Sequence, residues 1–179
     1  SVVFDKVTGK LTSYEVRGKQ MITAGPSLNL WRARIDNDMY KVADWKEKYF
    51  LHRQQEQMEE FEICRKPQEG LPGTGCEAGG DDDGVTVRVR THFAPLSMAF
   101  GFKGCYTWSI RRSGELKLSL EMKGFQYSGF IPEFIPRIGI EMRIPEEMKN
   151  IAWYGLGPEE NYCDMKSAAR MGIYRKTVE

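Results

Sequence analysis

Two strings hold the residues of this chain best suited to chemistry. One is Trp153-Tyr154-Gly155-Leu156-Gly157-Pro158-Glu159-Glu160-Asn161-Tyr162-Cys163-Asp164, with three carboxylates and a Gly/Pro cluster. Paired carboxylates perform general acid–base work when both reach one reacting bond. Glu159 and Glu160 are adjacent, and adjacent side chains of an extended segment point to opposite faces, so they cannot flank a single bond. Geometry assigns Glu160 to closing a turn and leaves Glu159 in solvent. Two glycines and a proline within four positions call for a tight turn at Gly155 to Pro158. The other string is Asp36-Asn37-Asp38, whose short polar side chains suit Asx-type hydrogen bonds to their own backbone.

Metal chemistry has thin support. Asp81-Asp82-Asp83 suggests calcium, but the EF-hand spacing and closing glutamate are missing, and a solvated hairpin tip is the better reading. His52 and His92 are isolated. Cys64, Cys76, Cys105 and Cys163 form no C-x-x-C pair, so a structural zinc site is not indicated. Their wide spacing points to reduced thiols in a cytoplasmic protein rather than to disulfides.

The elements that must position these residues are strands. The 179 residues suffice for one domain with a single core. Val2-Phe4 and Leu11-Tyr14 flank Val7-Thr8-Gly9-Lys10, a hairpin turn with its glycine at the left-handed position. Leu28-Leu30 with Trp31, Val85-Val87-Val89, Tyr106-Trp108-Ile110, Leu116-Leu118-Leu120 and Ile138-Ile140-Met142 alternate as half-buried strands. Ser113-Gly114 marks a reversal. Phe50 to Cys64 is rich in Gln and Glu, yet its neighbours favour a strand. Val42 to Phe50 has helical spacing at Val42, Trp45 and Tyr49. Residues 66–84, with seven Gly or Pro before Asp81-Asp82-Asp83-Gly84, read as a flexible loop. Trp108 alternates with Tyr106 and Ile110 and is assigned to the core, while Trp153 anchors its motif.

Charge narrows the partners. With 26 basic and 25 acidic residues interspersed, the chain carries a net +1 and lacks the footprint of a nucleic-acid binder or of a polybasic membrane patch. No apolar run approaches the ~20 residues that span a bilayer. Val2-Val3-Phe4 reads as a strand already under way and Thr177-Val178-Glu179 ends without a cap, so both ends read as cut.

Gly25-Pro26-Ser27-Leu28-Asn29-Leu30-Trp31-Arg32-Ala33-Arg34-Ile35-Asp36-Asn37-Asp38, then Ile135-Pro136-Arg137-Ile138-Gly139 running on to Trp153–Asp164, together resemble the small-chain domain of the large β-galactosidases of glycoside hydrolase family 2. The resemblance extends over nearly the whole chain. It implies an all-β fold, a large antiparallel β-sandwich of the galactose-mutarotase-like supersandwich type, with residues 1–179 as its N-terminal part and the C-terminal side incomplete. Departures occur where the family pattern has proline at Arg34 and Cys163 and arginine at Met165. The last removes a bidentate partner for Asp164, for which Lys166 could substitute only loosely, since an ammonium lacks the guanidinium fork.

The resemblance further implies a retaining β-galactosidase whose two glutamates belong to a barrel outside this segment, so the segment itself supplies no catalytic residue. Mg and Na, frequent in parent enzymes, would sit in that barrel, leaving no cofactor here. Asp36, Asn37, Asp38, Met39 and Tyr40 would border the active-site mouth. Trp31, Arg32, Arg137, Gly155, Gly157, Pro158, Glu160, Asn161, Tyr162 and Asp164 would be structural, with Arg137 in an ion pair. Implied partners are the other domains of the parent, a β-galactoside such as lactose, and further copies in a homo-oligomer. The competing reading is an independent carbohydrate-binding module or an aldose-mutarotase-like enzyme, for which only His52 and His92 supply imidazoles.

Overall fold

Strong alternation became strand. A computed structural model describes residues 1–65, 84–96, 98–126, 131–159, 161–162 and 166–178. Among them are eleven strands: β1 (Val2–Phe4), β2 (Leu11–Val16), β3 (Lys19–Ile22), β4 (Ala24–Asn29), β5 (Gln54–Arg65), β6 (Gly84–Pro95), β7 (Phe100–Arg111), β8 (Leu116–Gln126), β9 (Gly139–Arg143), β10 (Asn150–Gly157) and β11 (Arg170–Thr177). They form antiparallel sheets ordered β1-β2-β3, β4-β9, β5-β6-β7-β8 and β10-β11. The all-β antiparallel expectation holds. The loop expected over 66–84 lies outside the described residues except for Gly84, which opens β6.

The four-stranded sheet is the platform. Its register sets Val87 beside Trp108 and Leu118, and Val89 beside Tyr106 and Leu120, so alternation on three strands builds one apolar face. On β5 the register shifts between Met58 and Glu60. Such a bulge swaps the parity of the strand, so Met58 and Phe61 both reach the core. That explains why no single alternation runs through 54–64. Leu11, Val2, Phe4, Tyr14 and Ile22 of the three-stranded sheet pack onto this face, with the Phe4 ring edge-on to Trp108 at 5.6 Å. Each large side chain removed from water here contributes roughly 1.5–3 kcal/mol.

The β1–β2 turn locks this layer in place. Asp5 accepts the Val7 N–H at 2.8 Å and the Thr8 hydroxyl at 2.8 Å, the Val7 bond first among the influences that lower the Asp5 pKa. Gly9 has φ of +70° and lies so close to Val89 that a Cβ would meet its Cγ1 at 2.4 Å, so both conformation and space demand glycine.

The other end of the platform carries a second layer. Leu28, Leu30 and Phe93 form one cluster with Phe102 and Met122, and Trp45, Tyr49, Leu51 and Phe100 form another. The expected helix over Val42 to Phe50 is a short helical segment with wide bonding. Asp44–Lys48 closes with the Tyr49 N–H on the Asp44 carbonyl at 2.9 Å, an i→i+5 bond. Trp45 is buried, its indole N–H donating to the Phe134 carbonyl at 3.1 Å. On the opposite face of the platform, Arg88 meets Glu62 at 3.6 Å and Arg90 pairs with Glu60.

The thiols depart from expectation. Cys64 is buried and disulfide-bonded, while Cys105 is free. Pairing depends on which strands and loops meet in space, which spacing along the chain cannot show. Among the described residues no helix is long and apolar enough to cross a membrane.

Candidate functional site

The first string follows from β4. Asn29, a polar residue between buried Leu28 and Leu30, turns its carbonyl oxygen to the Trp31 N–H at 2.8 Å and its amide to Glu141 of β9 at 2.7 Å. The chain is thereby steered into Trp31 and Arg32. Asp36–Asp38 then forms one 3₁₀ turn. Asp38 is 5% exposed. One of its oxygens accepts Arg32 Nη2 at 2.9 Å and the other the Ile35 N–H at 3.1 Å, while its own N–H donates to the Ile35 carbonyl at 3.0 Å. Asp38 thus holds the turn to the strand that leads into it. Asp36 and Asn37 are exposed, and Met39 and Tyr40 reach further out, 63% and 78% exposed. Beyond them Lys41 pairs with Glu133 at 3.1 Å, and that bond raises the lysine pKa.

The two strings meet at Arg32. Its guanidinium lies over the Tyr162 ring, 4.0 Å from the centroid, a cation–π contact. Burial is the largest single influence on Arg32 and lowers its pKa, yet the bonds to Asp38 and Tyr162 outweigh it and the pKa is raised. The cation is therefore permanent and fixed between an acid of one string and an aromatic ring of the other.

The second string corrects one expectation. Gly155 and Gly157 lie within β10, not in a tight turn, and the chain bends only from Pro158. Their role is close approach: a Cβ on Gly157 would sit 2.8 Å from the Tyr174 ring of β11, and Gly155 is paired with Gly172. The Trp153 indole N–H donates to the Leu156 carbonyl at 3.3 Å, and its ring packs 5.4 Å from Tyr174. Glu159 is exposed and 3.4 Å from Lys176. Asn161 is half-buried. Glu160, Cys163, Asp164 and Met165 lie outside the described residues. Arg137 forms no ion pair with the described residues; its guanidinium folds over Gly139, where a Cβ would meet Nε at 2.8 Å.

The two histidines sit in different surroundings. His52 packs on Trp31 at 5.8 Å, and its pKa is lowered by burial first and then by Arg53 and Lys46. His92 sits against Phe125 at 4.8 Å, with Nε2 buried and unpartnered among the described residues. No group of three or more His, Cys, Asp or Glu side chains that could hold a metal is found among the described residues.

Residues 1–179 match the family described as "Beta galactosidase small chain" from end to end. The chain belongs to this family. Proteins named beta-galactosidase from Kluyveromyces lactis, Halalkalibacterium halodurans and Clostridium acetobutylicum are similar to it at 27%, 28% and 28% identity over 99%, 100% and 98% of the chain. The chain spans 16%, 16% and 17% of the length of those relatives.

Within this small-chain segment, the acids of the two strings that have a described ion-pair partner are Asp38, buried on Arg32, and Glu159, in solvent near Lys176. Sequence reasoning missed the residues that hold the site from behind: Asn29, Glu141 and Glu133. A polar residue inside an apolar run was the visible signal for Asn29. The others act across the fold and leave no local mark.

Proposed function

We propose that this chain is an accessory β-sandwich segment of a larger β-galactosidase, which hydrolyses terminal non-reducing β-D-galactose from β-galactosides such as lactose. The observation that carries the reading is the end-to-end match to the small-chain family, on relatives named beta-galactosidase that are about six times longer. In this reading both catalytic glutamates, and any Mg or Na requirement, belong to a barrel elsewhere in the parent. The segment buttresses that barrel, and the parent assembles as a homo-oligomer. The exposed run Asp36-Asn37-Asp38-Met39-Tyr40, held from within by Asp38 on Arg32, borders the sugar site and helps close it. A cytoplasmic location rests on cysteine spacing alone, and the Cys64 disulfide weighs against it.

Calorimetric titration of the chain with galactose tests the accessory role. No heat of binding is expected at millimolar sugar. Millimolar or tighter binding by the chain alone would instead make it a carbohydrate-binding module. In the parent, Tyr40→Ala is expected to raise KM for a chromogenic galactoside several-fold, and an unchanged KM and kcat would remove the turn from the sugar site.

A further inference from the structure

Leu28 and Ile140 face each other in the β4–β9 ladder, and β4 has no strand partner on its other edge among the described residues. The Leu28 N–H instead donates to the Tyr106 hydroxyl at 3.0 Å. Tyr106 belongs to β7, in the middle of the platform, and is 5% exposed within the main core cluster. Glu56 of β5 lines the same small cavity as Tyr106, with its side chain 6% exposed and Lys10 at 3.7 Å. Its Oε1 is buried without a hydrogen-bond partner among the described residues. Thr8, Gly9, Pro26 and Thr91 close a cavity around these groups. A polar cluster of this kind inside a core is costly unless each member serves another.

Its placement shows what it serves. Leu28 lies four residues before Arg32, and only Asn29, Leu30 and Trp31 separate the tied amide from the cation that holds Asp38. Leu30 is 1% exposed and Asn29 is bonded on both sides, so this stretch has little freedom to absorb a shift of β4. A displacement at Leu28 would pass along the chain to the turn. Burial, followed by the Glu56 charge, raises the Tyr106 pKa far above the ordinary tyrosine value, so the hydroxyl keeps its proton. It accepts from Leu28 as a neutral hydroxyl, with the Glu56 carboxylate lining the same cavity.

We propose that Tyr106, backed by Glu56, is a positioning residue for the sugar site: it ties the free edge of β4 to the platform and thereby sets where the Asp36–Tyr40 turn stands. The proposal rests on the reading above that this turn borders the site. Neither residue touches substrate; they act through β4.

Tyr106→Phe keeps the ring in the core and removes only the tie. Glu56→Gln keeps the shape and removes the charge behind it. Both are made in the parent enzyme, with Tyr40→Ala as the reference for the turn. Below the unfolding temperature, Tyr106→Phe is expected to lower kcat/KM for a chromogenic β-galactoside about tenfold, since small displacements of positioning groups are felt at the chemistry, and Glu56→Gln is expected to lower it less. Hydrogen exchange is expected to quicken at Leu28 and across 31–40 while the β6–β7 amides keep their protection. A uniform rise in exchange with unchanged kinetics would make Tyr106 an ordinary core residue and overturn the proposal. Normal kinetics in Tyr106→Phe alongside impaired Tyr40→Ala would also overturn it while leaving the turn at the site. Normal kinetics in both would refute the reading of the turn itself.

Discussion

Asp38 commits both carboxylate oxygens inside the protein, one to Arg32 and one to the Ile35 amide. Removing one partner of a buried pair leaves the other charge stranded, which costs far more than the pair itself contributes. Asp38→Ala is expected to lower stability by about 3 kcal/mol, read from urea unfolding, and a loss near zero would mean that Arg32 finds another partner. Tyr106 gives a pH signature at the same scale. Its folded pKa is raised, so above the ordinary tyrosine value of about 10 the unfolded chain loses a proton that the folded chain keeps. Stability must therefore fall as pH rises through that value. Tyr106→Phe is expected to flatten this alkaline part of the stability profile, and an unchanged slope would contradict the burial of the hydroxyl. The sequence suggested that Asp36-Asn37-Asp38 would brace a loop, but not which acid would do so. The choice of Asp38 depends on Arg32 being folded back over Tyr162, a contact between residues remote in sequence.

At the scale of elements, glycine reports where backbones and rings come close. Gly9→Ala meets both a left-handed φ and Val89, and about 2 kcal/mol or more of destabilisation is expected. Gly18→Ala has a similar φ of +77° but nothing within 4 Å, so only the backbone cost of about 1 kcal/mol should appear. Equal losses at the two sites in thermal unfolding would rule out the Val89 contact. The hairpin at Gly9 and the reversal at Gly114 were legible because turn residues are local signals, whereas the strand over 54–64 was inferred from its neighbours. The bulge at Met58 was not legible, since a parity swap looks the same as weak alternation until the partner strand is known. Gly155 and Gly157 misled for a related reason: glycine marks tight approach as readily as a turn, and only Tyr174 across the ladder decides between them.

At the scale of the whole molecule, several apolar side chains cluster on open faces. Tyr154 and Ile173 are cross-strand neighbours, 76% and 72% exposed, and Met171 beside them is 60% exposed. Ile138, Ile140, Met142 and Ile144 repeat at every second position near β9 and are all exposed. Apolar faces of this kind favour association. The chain on its own is expected to self-associate in sedimentation velocity, and Met171→Lys with Ile173→Lys to shift it towards monomer; a monomeric unsubstituted chain at high concentration would show these faces to be tolerated in water. Alternation announced the all-β fold and the two strings pointed to the family, because both are written along the chain. The division into four sheets was not legible, because it depends on which strands find each other. Most direct for the central claim is hydrolysis of a chromogenic β-galactoside by the chain alone and by the chain joined to the barrel of the proposed parent enzyme. No turnover is expected from the chain alone and clear turnover from the joined protein. Turnover by the chain alone, or none by the joined protein, would contradict that claim.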